Sequence, residues 1–201
     1  MISFLKPKSF LFLVLSIPAI PIVVMGMEFP WTDETYAKLI HVSGEMSVRL
    51  LLITLFISPL KLLFPKASFW KWMMKHRRYF GIASFLYLTL HLGVYILHLP
   101  EVLRIFSDFY KSTYFAGWLA FIILLILALT SNSRSIKKLG VKNWKNVQRF
   151  VYLAVLLSAM HWLFKEELEI GPVIVHFIPL LILELIRMYR IHSVSTKQTS
   201  N

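Results

Sequence analysis

Long apolar runs alternate with short charged stretches along this chain of 201 residues. Six runs match or approach the roughly 20 residues that a helix needs to cross a hydrocarbon core of about 30 Å. They are residues 10–27, 42–64, 79–97, 114–131, 147–164 and 172–188. Backbone polar groups in lipid have to be satisfied within their own segment, so each run is expected to be helical. The alternating segments of about ten residues that a membrane barrel requires are missing. The pattern predicts an all-α integral membrane protein, a bundle of six transmembrane helices. Residues 1–192 form a single domain, and the polar residues 193–201 are expected to be a disordered cytoplasmic tail. Between the spans, residues 101–113 carry apolar side chains at helical spacing and predict a short amphipathic helix along the membrane surface. Pro59, after Ser58, predicts a kink or an early end of the second span. The first run follows Lys6 and Lys8, as a signal peptide would, but no small-residue cleavage site follows it. A retained anchor is therefore expected. No internal repeat, glycine-rich phosphate loop or nucleophile motif is evident.

Charge sets the direction of the spans. The net charge of +12 accompanies 57% hydrophobic residues, and the lysines and arginines fall between apolar runs. That distribution indicates a lipid bilayer as the partner surface and argues against nucleic acid. The stretches 61–78 and 134–149 are basic, whereas Glu28, Asp33, Glu34, Glu101, Asp108 and Glu166 lie in the alternate connections. By the positive-inside rule both termini are cytoplasmic. Cysteine is absent, which excludes disulfides, zinc–thiolate sites and thiolate-ligated iron–sulfur clusters.

Candidate chemistry centres on two histidines. His91 lies 12 residues beyond Tyr79 in the third span, and His161 lies 13 residues beyond Gln148 in the fifth. At 1.5 Å per residue both stand roughly 18–20 Å into the membrane on parallel helices. Two imidazoles at one depth can take both axial positions of a single haem. They can also bond across helices or relay protons. Zinc would call for a tighter set of three or four ligands. Glu45 and Arg49, four apart on one helical face, can pair, and Arg49 is a candidate partner for a haem propionate. His41 and His98 lie near the outer boundary, where interfacial hydrogen bonding is the simplest role. His176 fits a helix–helix hydrogen bond.

Several pieces, in order, resemble one family. They are His41-Val-Ser-Gly44, Leu51-Leu-Ile-Thr-Leu-Phe-Ile-Ser-Pro-Leu60, Arg77-Arg-Tyr-Phe-Gly81, Leu90-His91, Tyr95, Ala128-Leu-Thr-Ser131, Leu139-Gly140, Trp144, Phe150-Val-Tyr152 and His161-Trp162. Together they span residues 35 to 165 and resemble the haem-binding membrane subunit of the bacterial methionine sulfoxide reductase system, the YedZ/MsrQ family. That family belongs to the ferric reductase-like transmembrane superfamily. The resemblance implies b-type haem, with His91 and His161 on the family's histidines as iron ligands. It implies residence in the bacterial inner membrane as a multi-pass protein. It also implies electron entry from the membrane quinone pool or a cytoplasmic flavin reductase, with FMN as a possible second cofactor. Electrons would pass to a periplasmic molybdopterin-dependent methionine sulfoxide reductase subunit. The chain itself is then an electron-transfer subunit and not the catalytic one. His41, in the family motif, becomes a candidate quinone contact.

One position departs from the family. Where it has Trp-x-x-Leu-His at the start of the fifth helix, this chain has Trp144-Lys-Asn-Val-Gln148. A glutamine amide is a poor ligand for haem iron, so one haem is expected, with His76 as the candidate substitute ligand for a second. Two other functions fit the same spans: a stand-alone ferric reductase-like oxidoreductase, and a haem-free small transporter or assembly factor.

Overall fold

A computed structural model of the chain describes residues 7–99, 101, 103–165 and 170–199. Among them the regular structure is entirely helical. Five helices are long and apolar enough to cross a membrane, and a sixth span is a bent pair, α1 (Pro7–Ser16) and α2 (Ala19–Gly26). The pair bends by 53°. Pro18 stands at the break, where a proline lacks the N–H that would continue the helix. The first run is therefore a broken span and not one straight helix.

The next two spans run well beyond their apolar cores. Helix α3 (Asp33–Leu63) and helix α4 (Ser68–His98) each have 31 residues, about 46 Å of helix. Thr32 caps α3 through its side chain, which accepts the Thr35 N–H at 3.2 Å. Asp33 and Glu34 in the first turn complement the helix dipole. Pro59 lies inside α3, which continues four residues beyond it, so the expected early end does not occur. The two helices run antiparallel with small residues at the seam. Ser47 Oγ donates to the Ser84 carbonyl at 3.0 Å, and Ser84 Oγ donates to the Ser47 carbonyl at 2.8 Å. Small side chains allow such close approach, and in lipid it is packing and hydrogen bonds, not the hydrophobic effect, that hold helices together.

The short helix α5 (Arg104–Phe109) occupies the stretch expected to lie along the surface. It leads to α6 (Ser112–Thr130), the fourth span. Helix α7 (Ser133–Gln148) is basic and buries no residue. Asn132 caps it by accepting the Ser135 N–H at 2.8 Å. It is kinked at Gly140, whose φ of 75° suits a residue without a β-carbon. Helix α8 (Val151–Lys165) is the fifth span and packs on α6. The last, α9 (Ile170–Thr199), packs mainly against α3 and is the least buried. It is helical through residue 199.

Two apolar clusters fill the bundle. One joins Leu51, Leu52 and Leu55 of α3 to Ala116, Ala120, Leu124 and Leu127 of α6 and to Ala154, Val155 and Leu157 of α8. The other joins α3 and α4 to the bent pair through Leu39, Leu50, Ile57, Phe80, Ala83, Leu11 and Ile22. Outward side chains such as Leu129 and Val175 are about 70% exposed, as lipid-facing residues of an integral membrane bundle are.

Candidate functional site

The same local unit is built twice. On α4, His91 Nδ1 donates to the Ile40 carbonyl of α3 at 2.9 Å. On α8, His161 Nδ1 donates to the Thr113 carbonyl of α6 at 2.8 Å. Each carbonyl belongs to the residue four before a glycine, Gly44 or Gly117. A β-carbon at Gly44 would stand 2.9 Å from His91 Nδ1 and Cε1. One at Gly117 would stand 2.8 Å from His161 Nδ1. Each imidazole thus lies flat against a stretch of helix from which the side chain is missing. A carbonyl only accepts, so the proton is on Nδ1 and Nε2 carries the lone pair. A neighbouring acceptor that fixes the tautomer in this way is the usual support of a metal-binding histidine.

The two units face each other. The His91 and His161 rings are 6.2 Å apart, centre to centre, and nearly perpendicular at 89°. Two imidazoles on one metal ion, with metal–nitrogen bonds of about 2.0 Å and about 1.1 Å more to each ring centre, are separated by about 6 Å. Both rings line a cavity of about 680 Å³ between α3, α4, α6 and α8, within the range of about 300–1,000 Å³ for cofactor pockets. Its deeper wall is apolar, with Val48, Leu88, Ala120, Phe121 and Leu124. Among the described residues no group of three or more His, Cys, Asp or Glu could hold a metal ion. A donor set of two imidazoles on opposite sides of an apolar slot fits haem and does not fit zinc.

At its open end the cavity is lined by polar and aromatic residues, Lys38, His41, Glu45, Tyr36, Tyr95 and Tyr114. Tyr95 donates to Asp108 Oδ2 at 3.0 Å. Asp108, the buried residue of α5, has Lys111 Nζ 2.6 Å from its other oxygen. The bond from Lys111 holds the Asp108 carboxyl below the usual carboxylate range, against the opposing effect of burial. This cluster ties the surface helix to the end of α4 that carries His91.

The other sequence candidates separate. His41 lines the cavity. Arg49 does not; its Nη2 lies 2.5 Å from Glu45 and its Nε donates to His176 Nε2 at 3.4 Å. His176 therefore does bond between helices. His98 stacks on Tyr36 at 3.7 Å. His76 lies near the other end of α4, buried, with Nδ1 bonded to the Trp72 carbonyl at 2.9 Å and its ring near Trp72 and Tyr79. Gln148 donates to Thr130 Oγ1 at 3.0 Å and to the Leu127 carbonyl at 3.3 Å. Sequence reasoning gave no role to Gly44 or Gly117. Their signal is a glycine in one span at the depth of a histidine in its neighbour.

Comparison with known proteins agrees with this layout. A family model described as the ferric reductase like transmembrane component matches residues 43–159, which include both glycines and His91. The protein-methionine-sulfoxide reductase heme-binding subunit MsrQ of Azospira oryzae is 34% identical over 176 residues, covering 83% of this chain and 72% of that one. MsrQ of Pectobacterium atrosepticum is 31% identical, covering 82% and 83%. The magnetosome protein MamZ of Magnetospirillum gryphiswaldense is 31% identical over 153 residues, which make up 22% of its length. No solved structure matches the chain. The match across 43–159 and the extent of likeness to the MsrQ proteins place this chain in the ferric reductase-like transmembrane family, among the protein-methionine-sulfoxide reductase heme-binding subunits.

Proposed function

We propose that this chain is a membrane electron-transfer subunit that holds one b-type haem between His91 and His161. The observation that carries the reading is the pair of rings 6.2 Å apart, each with its Nδ1 tied to the carbonyl of a neighbouring helix. Bound there, haem supplies a one-electron carrier whose potential answers to its ligands and surroundings. The residues hold and orient it. Ile40 and Thr113 fix the imidazole tautomers, Gly44 and Gly117 admit the rings, and Leu88, Ala120, Phe121 and Leu124 keep the slot dry. With no cysteine in the chain, a porphyrin is held by ligation and packing alone, which supports the b type. Lys38, at the mouth with its Nζ 2.6 Å from Glu34 Oε1, is the lysine of the cavity lining that a propionate would meet. It stands there in place of Arg49.

The basic stretches 61–78 and 134–149 support a cytoplasmic placement of the end opposite the cavity mouth and of both termini, in a bacterial inner membrane. The cavity then opens toward the periplasm. The names of the relatives support delivery of electrons to a periplasmic protein-methionine-sulfoxide reductase subunit, which on the family resemblance carries molybdopterin. The donor is membrane quinol or a cytoplasmic flavin reductase, the latter with FMN. At the cytoplasmic end the polar contacts of Gln148 and the packing of His76 favour a single haem.

The test is the haem content of detergent-purified protein by pyridine haemochrome. The expected value is near one haem b per chain, lost in His91→Ala and in His161→Ala. A value near zero in folded protein overturns the haem reading, and a value near two overturns the single site.

A further inference from the structure

At the basic end of the bundle, far from the cavity mouth, a polar layer does not balance its charge. Helices α4, α7, α8 and α9 contain one acid between them, Glu184. Both of its oxygens are taken within the layer. Oε2 lies 2.8 Å from Arg187 Nη2, and Oε1 accepts from the Tyr152 hydroxyl at 3.3 Å. Arg187 Nη2 also donates to that hydroxyl at 3.0 Å. Arg77 of α4 is near enough to feel the charges of Glu184 and Arg187, yet it donates to a neutral group, Ser58 Oγ at 3.0 Å. Two guanidiniums therefore share one carboxylate. Arg187 Nε is covered and meets no acceptor among the described residues, so Glu184 leaves part of that guanidinium unsatisfied. An unmatched donor and an uncancelled charge within a membrane span are both costly.

The layer can be reached from the lipid. Tyr152 is exposed, and the Arg187 side chain is 26% exposed. Arg190 stands one turn beyond Arg187. Arg149 stands one turn before Tyr152, whose N–H donates to the Arg149 carbonyl at 3.1 Å. Both of these arginines are exposed. Toward the cavity, α9 packs mainly on α3 and only lightly on α8, and Leu153, Leu156, Leu181 and Leu185 stand outward. A ligand suited to this place joins an anion with several acceptor oxygens to long apolar chains. Guanidinium forks match a phosphate group, and basic pockets between membrane helices take anionic lipid headgroups. A free phosphate offers the same oxygens and nothing for the leucines.

We infer that Arg187, Arg190 and Arg149, with Tyr152, hold the phosphate of an anionic phospholipid at the basic end between α8 and α9, with its acyl chains along the outward leucines. The charge distribution turns that end to the cytoplasm, so the lipid comes from the inner leaflet. Its headgroup supplies the negative charge that the layer lacks. It also fastens α9, the least buried span, to the rest of the bundle. The site does not depend on haem.

The test uses the full chain in dodecyl maltoside, with circular dichroism as the check of folding. Equal amounts of dioleoylphosphatidylglycerol and dioleoylphosphatidylcholine are added, and the lipid retained per chain is read by native mass spectrometry. One phosphatidylglycerol per chain is expected, preferred about tenfold over phosphatidylcholine and weakened about fivefold in Arg187→Gln and in Arg190→Gln. Lys137→Gln removes an exposed lysine of α7 and should leave retention unchanged. Equal retention of the two lipids overturns the site. Equal loss in Lys137→Gln and Arg190→Gln also overturns it, because a diffuse basic surface would then be the attraction. Release of the lipid by an equal concentration of inorganic phosphate overturns the lipid as ligand, since the anion alone would suffice. Should Arg187→Gln fail to fold, Arg190→Gln, at an exposed position, decides.

Discussion

The two ends of the bundle start from similar material and reach opposite results. At the end that holds His91 and His161, side chains are withheld. Gly44, Gly117, Ala116 and Ala120 leave room, and backbone carbonyls hold the imidazoles. At the basic end, polar side chains interlock. Arg77 donates to Ser58 Oγ at 3.0 Å. Arg187 donates to Tyr152 at 3.0 Å and pairs with Glu184 at 2.8 Å. Gln148 is committed to α6. On the proposed haem site, the difference teaches that it is the neighbours of a membrane histidine that fit it to hold a cofactor. His76 is as deeply buried as many core residues, yet it faces aromatic rings and not an open slot.

The largest effect on this contrast should come from filling the vacant side of either imidazole. In Gly117→Ala the new methyl would stand 2.8 Å from His161 Nδ1 and 3.0 Å from Cε1. Both atoms belong to a ring already anchored by its bond to Thr113, so the ring or the helix has to move. Overpacking of this kind costs about 1–3 kcal/mol. Haem content should fall several-fold in Gly117→Ala and in Gly44→Ala. Gly93→Ala, where nothing lies within 4 Å, should keep full haem. Equal haem in all three by pyridine haemochrome would detach the glycines from the site.

Much of this was legible in the sequence, for physical reasons. Apolar length fixes a membrane helix, so the spans were visible, as were the short surface helix and the Glu45–Arg49 pair four residues apart. That His91 and His161 stand at one level followed from helical rise alone. Residues acting through their backbone were hidden. Ile40 and Thr113 contribute carbonyls that every residue has, and Gly44 and Gly117 contribute an absence. The repeated unit escaped notice because it repeats a geometry with few identities. Arg49 looked suited to a propionate because its helix and level were readable, whereas its turn toward His176 depends on where α9 packs.

A smaller effect is expected where α3 and α4 are fastened together below the cavity. Ser84→Ala removes the hydrogen bond to the Ser47 carbonyl and leaves the reciprocal bond in place. Side-chain hydrogen bonds between membrane helices are worth about 0.6 kcal/mol on average and up to about 1.7 kcal/mol. Thermal unfolding in detergent should show a loss of about that size with haem content unchanged. A loss of haem would mean that the cavity depends on this seam and not on the glycines alone.

The smallest effect should follow the change that looks most consequential in the sequence. Gln148→His restores the residue type that relatives of this kind are expected to carry there, and if histidines alone made haem sites it would create one. The surroundings argue otherwise. The new imidazole has fewer donors than the amide it replaces, which serves both Thr130 and Leu127. A second ligand would have to come from α4 at the same depth. There, Arg77 is turned to Ser58, and His76 is bonded to Trp72 and packed near Tyr79. No pair of facing glycines opens the space. Haem content should remain near one per chain, with a loss of stability on the order of one membrane hydrogen bond, about 0.6 kcal/mol. A rise to two haems would show that the basic end is a cofactor site lacking only its ligand, and the contrast between the two ends would reduce to a single side chain.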